Sequence, residues 1–220
     1  MKRLVIAIDG PSGAGKGTLA RTLAERLGYR HIDTGAMYRA VAWKALQDGV
    51  PLDDDARVAA LAGRAEYRQV NGTITIDGQD VTRAIRTPEI DKAAASVARL
   101  VHVREVLVQQ QRDMGNDGGV VMEGRDIGTV VFPHAHMKFY IDASAEERAR
   151  RRAADPAHTG HQGTLANVQS ALLARDTADS TRAVAPLAKA DDAVYIDTTD
   201  MPIEQVVHRV LMLVLERLEA

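Results

Sequence analysis

Residues 4–8 (LVIAI) form an unbroken apolar run, the pattern of a strand buried on both faces of a parallel sheet. After a glycine-rich stretch, Leu19, Leu23 and Leu27 recur four residues apart with Ala20 and Ala24 beside them. Arg21, Thr22, Glu25 and Arg26 take the other side. That period predicts an amphipathic helix closed by Gly28. "YRHID" reads as a second strand and "GAMYRAVAWKALQDG" as a helix ending at Gly49. "VVM" at 120–122, "MKFYI" at 137–141 and "AVYI" at 193–196 supply three further short strands. Between the last two, Ser144 followed by Glu147 is a capping box that opens a helix. Residues 165–174 give another helix, and 203–218 a strongly amphipathic closing one.

In the middle of the chain this rhythm breaks. "EYRQVNGTITIDGQDVT" (66–82) alternates apolar and polar residues, and its Asn71-Gly72 and Asp77-Gly78 pairs are hairpin signals. A small antiparallel patch is expected there. Thr87-Pro88 is an N-cap with proline at the first helical position, opening one or two helices that run to about Met114. "GNDGG" is a turn, and "PAHTGHQG" (156–163) a polar loop. Five short strands alternating with helices predict an α/β fold, a doubly wound five-stranded parallel sheet with a small antiparallel and helical insertion.

Composition narrows the function classes. The 220 residues are 45% hydrophobic and 26% charged, with a net charge of −2, so the whole-molecule field gives no reason to expect nucleic acid or membrane as a partner. Any cationic site has to be a local concentration of arginine. Cysteine is absent, which removes disulfides and thiolate metal sites and fits a reducing compartment. Met1-Lys2-Arg3 leads straight into the first strand, so neither a leader nor a spanning segment is expected, and the expectation is a cytoplasmic monomer.

The glycine-rich stretch carries the first chemistry. Gly10, Pro11, Ser12, Gly13, Ala14, Gly15, Lys16, Gly17 and Thr18 follow the phosphate-cradling pattern G-x-x-x-x-G-K-[ST] except at its last position, where Gly17 stands and the hydroxyl comes one residue late. Glycines let the backbone curl so that its N–H groups point at an anion, Lys16 adds a point charge, and the helix start adds its dipole. The pattern points to the β- and γ-phosphates of ATP. The "GKGT" ending resembles nucleoside monophosphate kinases of the adenylate kinase type, in which Mg²⁺ is expected to be held mainly by phosphates and water.

Transfer between a triphosphate and a monophosphate brings two anions together, and the protein supplies chiefly positioning and electrostatics. Arginines are therefore needed from several stretches of chain. "DTGAMYR" places Asp33, Thr34, Tyr38 and Arg39 after the second strand, and "MEGRDIGTVVFP" places Glu123, Arg125 and Asp126 after the third. "RDTADSTR" spaces Arg175, Asp179 and Arg182 close to i, i+4, i+7, so on a helix they would share a face, and "EERARRR" puts Arg148 and Arg152 four apart. The bland alternative for the last two sets is a solvated, ion-paired helix surface. His31, His134 and His136 show no metal-ligand spacing and read as structural or exposed.

Taken together, "IDGPSGAGKGT", "IDTGAMYR", "EGRDIGTVVFP", "RDTADSTRAVAPL" and "ADDAVYIDTT" resemble the bacterial-type cytidylate kinase family, in order, over nearly the whole chain. The resemblance implies a single kinase domain of P-loop type. Its core would span about 1–60, 115–147 and 164–220, with a monophosphate-binding insertion at about 61–114 and a short lid at about 148–163. It implies that ATP donates a phosphoryl group to CMP or dCMP with Mg²⁺ present. Lys16, Arg125, Arg152 and Arg182 would act on the transferring group, and Arg148 would flank ATP. Arg39, Arg125 and Arg182 would hold the CMP phosphate, with Thr34, Tyr38, Arg175 and Asp179 lining the pocket. Arg104 and Asp126 would read the base, and Glu123 would be a water-mediated Mg²⁺ partner.

One position departs from the family pattern. The serine the family places near the start of "ASVARLVHVRE" aligns with Ala95, beside Ser96, so either the helix shifts by one residue or the base loses a contact. The runner-up acceptors are UMP and AMP. A P-loop switch or nucleic-acid-binding module is the rival from another class, and it lacks a basic stripe and stacking aromatics.

Overall fold

A computed structural model describes residues 3–70, 72–155 and 164–219. The chain begins with β1 (Val5–Asp9), buried throughout, and α1 (Lys16–Leu27), then β2 (Arg30–Asp33) and α2 (Thr34–Gln47). Next come α3 (Asp55–Arg64), β3 (Tyr67–Val70), β4 (Thr73–Ile76), β5 (Gln79–Asp80) and a single 3₁₀ turn, Ala84–Arg86. Helices α4 (Pro88–Val97) and α5 (Val101–Gly115) lead back to β6 (Val120–Glu123). A wide π-type turn at Ile127–Val131 precedes β7 (Met137–Asp142), α6 (Ala145–Ala154), α7 (Leu165–Thr181), β8 (Val194–Asp197) and α8 (Ile203–Glu219).

The central sheet has the order β2-β6-β1-β7-β8, with every pair parallel. β1 lies between β6 (Val5 opposite Val120) and β7 (Ile6 opposite Met137), so the loop after β1 opens where successive crossovers diverge, the usual ligand edge of such sheets. One face is covered by α1 and α8 through Leu19, Leu23, Val207 and Val210 packed on Ile6, Ile8 and Phe139. On the other face, Ala7, Ile32 and Met122 meet Val108 of α5 and Val131 of the π-type turn.

The expected antiparallel patch is the sheet β3-β4-β5, and Asp77 and Gly78 turn between its second and third strands with positive φ of 51° and 78°. Ile74 and Ile76 pack on Ala36 and Ala40 of α2. Thr87 caps α4 by accepting from the Ile90 amide (3.3 Å), with Pro88 at its first turn.

Three details differ from the sequence reading. Helix α3 is additional, with Val58, Leu61 and Ala62 packed against α5, and it straddles the expected insertion boundary near residue 61. Helix α7 runs past 174 to Thr181, where Thr177 and Thr181 hydroxyls fold back on carbonyls one turn earlier (2.9 and 2.7 Å). Half of the capping box forms: Ser144 Oγ accepts from the Glu147 amide (3.2 Å), while the Glu147 carboxylate turns to Arg150 and Arg151. Most of the expected lid loop, 156–163, lies outside the described residues. Among the described residues, no helix is long and apolar enough to cross a membrane.

Candidate active site

The loop between β1 and α1 is shaped from beneath. Gly10 has φ +144°, and a Cβ there would fall 1.9 Å from the Ile141 carbonyl oxygen, so only glycine lets the chain leave β1 beside β7. Arg148 lies behind the loop, where its guanidinium donates to the carbonyls of Ser12 (3.1 Å) and Ala143 (3.0 Å) and pairs with Asp176. Asp176 in turn accepts from the Ser12 amide (3.3 Å). Arg148 is therefore built into the loop's support instead of the cleft wall, because α6 turns its side chain inward. Its neighbour Arg151 faces the cleft, donating to Thr198 through both its Oγ1 (2.9 Å) and its carbonyl (2.6 Å).

Lys16 begins α1 and folds back to donate from Nζ to the Pro11 carbonyl (2.7 Å). Burial pushes its ammonium down to about 7, with Arg125 adding to the effect and Glu123, Asp9 and Asp176 opposing it. A cation so poorly compensated favours an anion beside it.

Among the described residues, guanidinium groups from six separate stretches converge opposite the loop on one cleft of about 690 Å³. Asp33, the N-cap of α2, accepts from the Ala36 amide through Oδ1 (2.9 Å), and its Oδ2 meets Arg39 and Arg86, each at 3.1 Å. Burial alone would raise this carboxyl, yet Arg39, Arg86 and His31 hold it well below the usual carboxylate range. Asp91 of α4 pairs with Arg152 and with Arg175 (3.4 Å), and Asp179 pairs with Arg125 Nε (3.0 Å). Asp126 pairs with Arg104 and lies 3.4 Å from Arg182 Nη2. The Arg104 guanidinium rests over the Tyr38 ring, 5.7 Å from its centre.

These carboxylates fix the arginines without using them up. Arg39 Nε, Arg175 Nε and Arg182 Nη2 are buried and have no hydrogen-bond partner among the described residues. Burial lowers the Arg39 guanidinium to about 10 and also lowers Arg152 and Arg182. Among the described residues, the cleft wall carries eleven lysine and arginine side chains against six carboxylates, in a chain whose net charge is −2. The positive potential is local, as an acceptor of phosphorylated molecules requires.

Glu123 explains the displaced hydroxyl of the loop. Its Oε1 is 3.0 Å from His31 Nε2, and a Cβ at position 17 would lie 3.2 Å from the same oxygen. A serine or threonine at 17 would press its side chain against this carboxylate. Thr34 Oγ1 donates to the Glu123 carbonyl (2.7 Å) and anchors the strand end. His31, expected to be structural or exposed, lines the cleft instead, since β2 directs it toward Glu123. No group of three or more metal-type side chains gathers among the described residues.

Residues 12–18 line the cleft, as do Thr34, Tyr38, Arg39, Arg104, Glu123, Arg125, Asp126, Arg152, Arg175, Asp179 and Arg182. Gly10, Pro11 and Arg148 are buried behind it. Ala95 faces the cleft beside Ala94 and Ala98, whereas Ser96 is exposed and donates to the Lys92 carbonyl (3.4 Å). Arg86 and Arg151 are cleft residues that the sequence reading missed. Arg151 had a local signal, four residues after Glu147, whereas Arg86 has none, since its place depends on the 3₁₀ turn meeting Asp33.

Comparison with known proteins adds a second line of evidence. The family model described as cytidylate kinase matches residues 6–216. The chain is 50% identical over 209 residues to a cytidylate kinase of Desulforamulus reducens, with 94% of each protein covered. It is also 50% identical over 218 residues to one of Geobacter sulfurreducens, covering 97% of this chain and 94% of that one. Among solved structures, a shikimate kinase from Bacteroides thetaiotaomicron superimposes with a TM-score of 0.54 at 12% identity, covering 97% of this chain and 99% of that one. A shikimate kinase from Acinetobacter baumannii in complex with shikimate gives 0.51 at 16% identity, covering 98% and 94%. Likenesses at those identities concern the fold alone.

Proposed function

The chain belongs to the cytidylate kinase family, and from that premise we propose that it transfers the γ-phosphoryl group of ATP to CMP or dCMP, giving CDP or dCDP and ADP. The observation that carries this reading is the convergence of buried, incompletely satisfied guanidinium groups opposite a loop of backbone amides. Arg39, Arg125 and Arg182 hold the CMP phosphate, and Arg175 and Asp179 hold the ribose beside Thr34 and Tyr38. Asp126 accepts from the C4 amino group of cytosine while Arg104 donates to O2 and N3. Uracil presents a carbonyl where cytosine has that amino group, which leaves two acceptors facing one another at a cost of about 1–3 kcal/mol.

The attacking group is a CMP phosphate oxygen, already anionic near neutral pH, so no general base is needed. It bonds to the γ-phosphorus as the bond from that phosphorus to the bridging oxygen of ADP breaks, and the electron pair leaves on ADP. Lys16, Arg125, Arg152 and Arg182 balance the charge spread over the moving group. The segment at about 148–163 acts as the lid and the insertion at about 61–114 as the monophosphate-binding part, and their closure excludes water as a competing nucleophile.

Mg²⁺ suits the residues present. A single carboxylate, Glu123, overlooks the loop beside Gly17, and His31 orients it, which fits an ion held chiefly by phosphate and water with one outer partner. When bound, the ion would neutralise phosphate charge. The enzyme works as a cytoplasmic monomer with small-molecule substrates.

The test is a coupled ADP-release assay over CMP, dCMP, UMP and AMP with ATP. Turnover of CMP and dCMP well above UMP and AMP is expected, and equal turnover of UMP would overturn the acceptor assignment.

A further inference from the structure

Asp9, the last residue of β1, is buried beneath the loop, and the mechanism above gives it no task. Both its oxygens are nevertheless committed. Oδ1 accepts from the amide of Ile127 (2.8 Å) and Oδ2 from the amide of Gly128 (2.7 Å). Those are the first two amides of the π-type turn Ile127–Val131, the groups a helical turn leaves without intrahelical partners. The residue just before such a turn normally caps the second or third of its amides, here Gly128 or Thr129, with its own short polar side chain. Here that residue is Asp126, whose side chain makes no capping bond. It points into the cleft toward Arg104 and Arg182, while its carbonyl accepts from Val130 (2.8 Å) and Val131 (3.2 Å).

We propose that Asp9 is a positioning residue: by capping from another strand the turn that follows Asp126, it leaves the Asp126 carboxylate free to face the cleft and set its preference for cytosine. Two acids thus divide two tasks that compete for one side chain. The inference rests on the reading of Asp126 as the group that meets the base.

In Asp9→Asn, the amide NH₂ must face one of the two backbone amides, donor against donor, which leaves a turn amide open to Asp126. If Asp126 turns back to cap it, the base contact weakens while the loop itself stays in place. Gly128→Ala approaches the same contact from the other side, because its Cβ would lie 3.3 Å from Asp9 Oδ2 and 3.1 Å from Lys138 Cδ.

The experiment is a double-mutant cycle on the full chain, measuring kcat/KM for CMP and for UMP in Asp9→Asn, Asp126→Asn and the double variant, with ATP KM and melting temperature as controls. Asp9→Asn is expected to lower the CMP-over-UMP ratio about tenfold, the size of one lost hydrogen bond, while any rise in ATP KM, since the lost charge also supports the Lys16 ammonium, is the same with either acceptor. The double variant is expected to discriminate no worse than Asp126→Asn alone. Gly128→Ala is expected to shift the ratio the same way, and it carries the test if Asp9→Asn does not fold. A loss of rate equal for CMP and UMP, or effects of Asp9→Asn and Asp126→Asn that add in full, would reduce Asp9 to a stability role and overturn the proposal. An Asp126→Asn variant that keeps the native ratio would instead strike the reading of Asp126 itself, and the inference with it.

Discussion

Binding of a nucleoside diphosphate or triphosphate should draw a proton onto Lys16. In the ligand-free protein, burial lowers the Lys16 ammonium from 10.5 to about 7, so at pH 8 roughly nine-tenths of the molecules carry a neutral amine. A phosphate anion seated in the loop favours the charged form and returns the group toward its ordinary range. Binding at pH 8 should then take up about 0.9 proton, falling to about 0.5 at pH 7 and about 0.1 at pH 6. The sign on stability follows from the same shift. A depressed lysine costs the ligand-free fold stability as pH falls from about 10.5 to about 7, below which the loss is complete, and bound nucleotide should reduce that loss. The assay is titration calorimetry of ADP·Mg²⁺ in buffers of different ionisation heat, where the slope of observed enthalpy against buffer heat counts protons. Lys16→Arg is the control, because a guanidinium does not release its proton in this range. A flat buffer dependence in the native protein at pH 8, or an equal slope in Lys16→Arg, would refute the reasoning.

Other expectations follow from contacts in the cleft. Arg182→Ala should raise the CMP KM and lower kcat together, by about 100-fold in kcat/KM, in steady-state assays; unchanged kinetics would remove Arg182 from the site. Gly17→Ser should press on Glu123 and raise the Mg²⁺ concentration for half-maximal rate about tenfold, whereas an unaltered Mg²⁺ titration would detach Glu123 from the ion. Gly10→Ala should cost about 3 kcal/mol or more in denaturant melts, since its Cβ would overlap the Ile141 carbonyl; a native-like midpoint would contradict the close approach of β1 and β7.

The parallel strands were legible because burial on both faces leaves short apolar runs that no solvent-facing residue interrupts, as in Val5–Asp9 and Val120–Glu123. The loop, Arg39 and Arg125 were legible because the motifs that carry them follow β1, β2 and β6, and Arg152, Arg175 and Arg182 because of their helical spacing. Helix α3 had a usable signal that went unread, Asp54 ahead of Val58, Leu61 and Ala62, and Asp54 accepts from the Arg57 amide (3.1 Å) as its cap. The far end of α7 was hidden by "DTADST", residues of low helix propensity that tertiary contact holds helical. Which way Arg148 and Arg151 point depends on how α6 lies over the loop, a tertiary fact that four arginines within five residues do not encode. Asp9 and Arg86 are of the same kind, because their partners are 118 or more and 53 residues away.

The central claim is that this cleft moves phosphate from ATP to cytidine monophosphate and not to water or uridine monophosphate. Single-turnover reaction of γ-labelled ATP with an equimolar mixture of CMP and UMP tests it most directly. The account predicts label in the β-phosphate of CDP, with little in UDP or inorganic phosphate. Label divided equally between CDP and UDP, or released chiefly as inorganic phosphate, would contradict it.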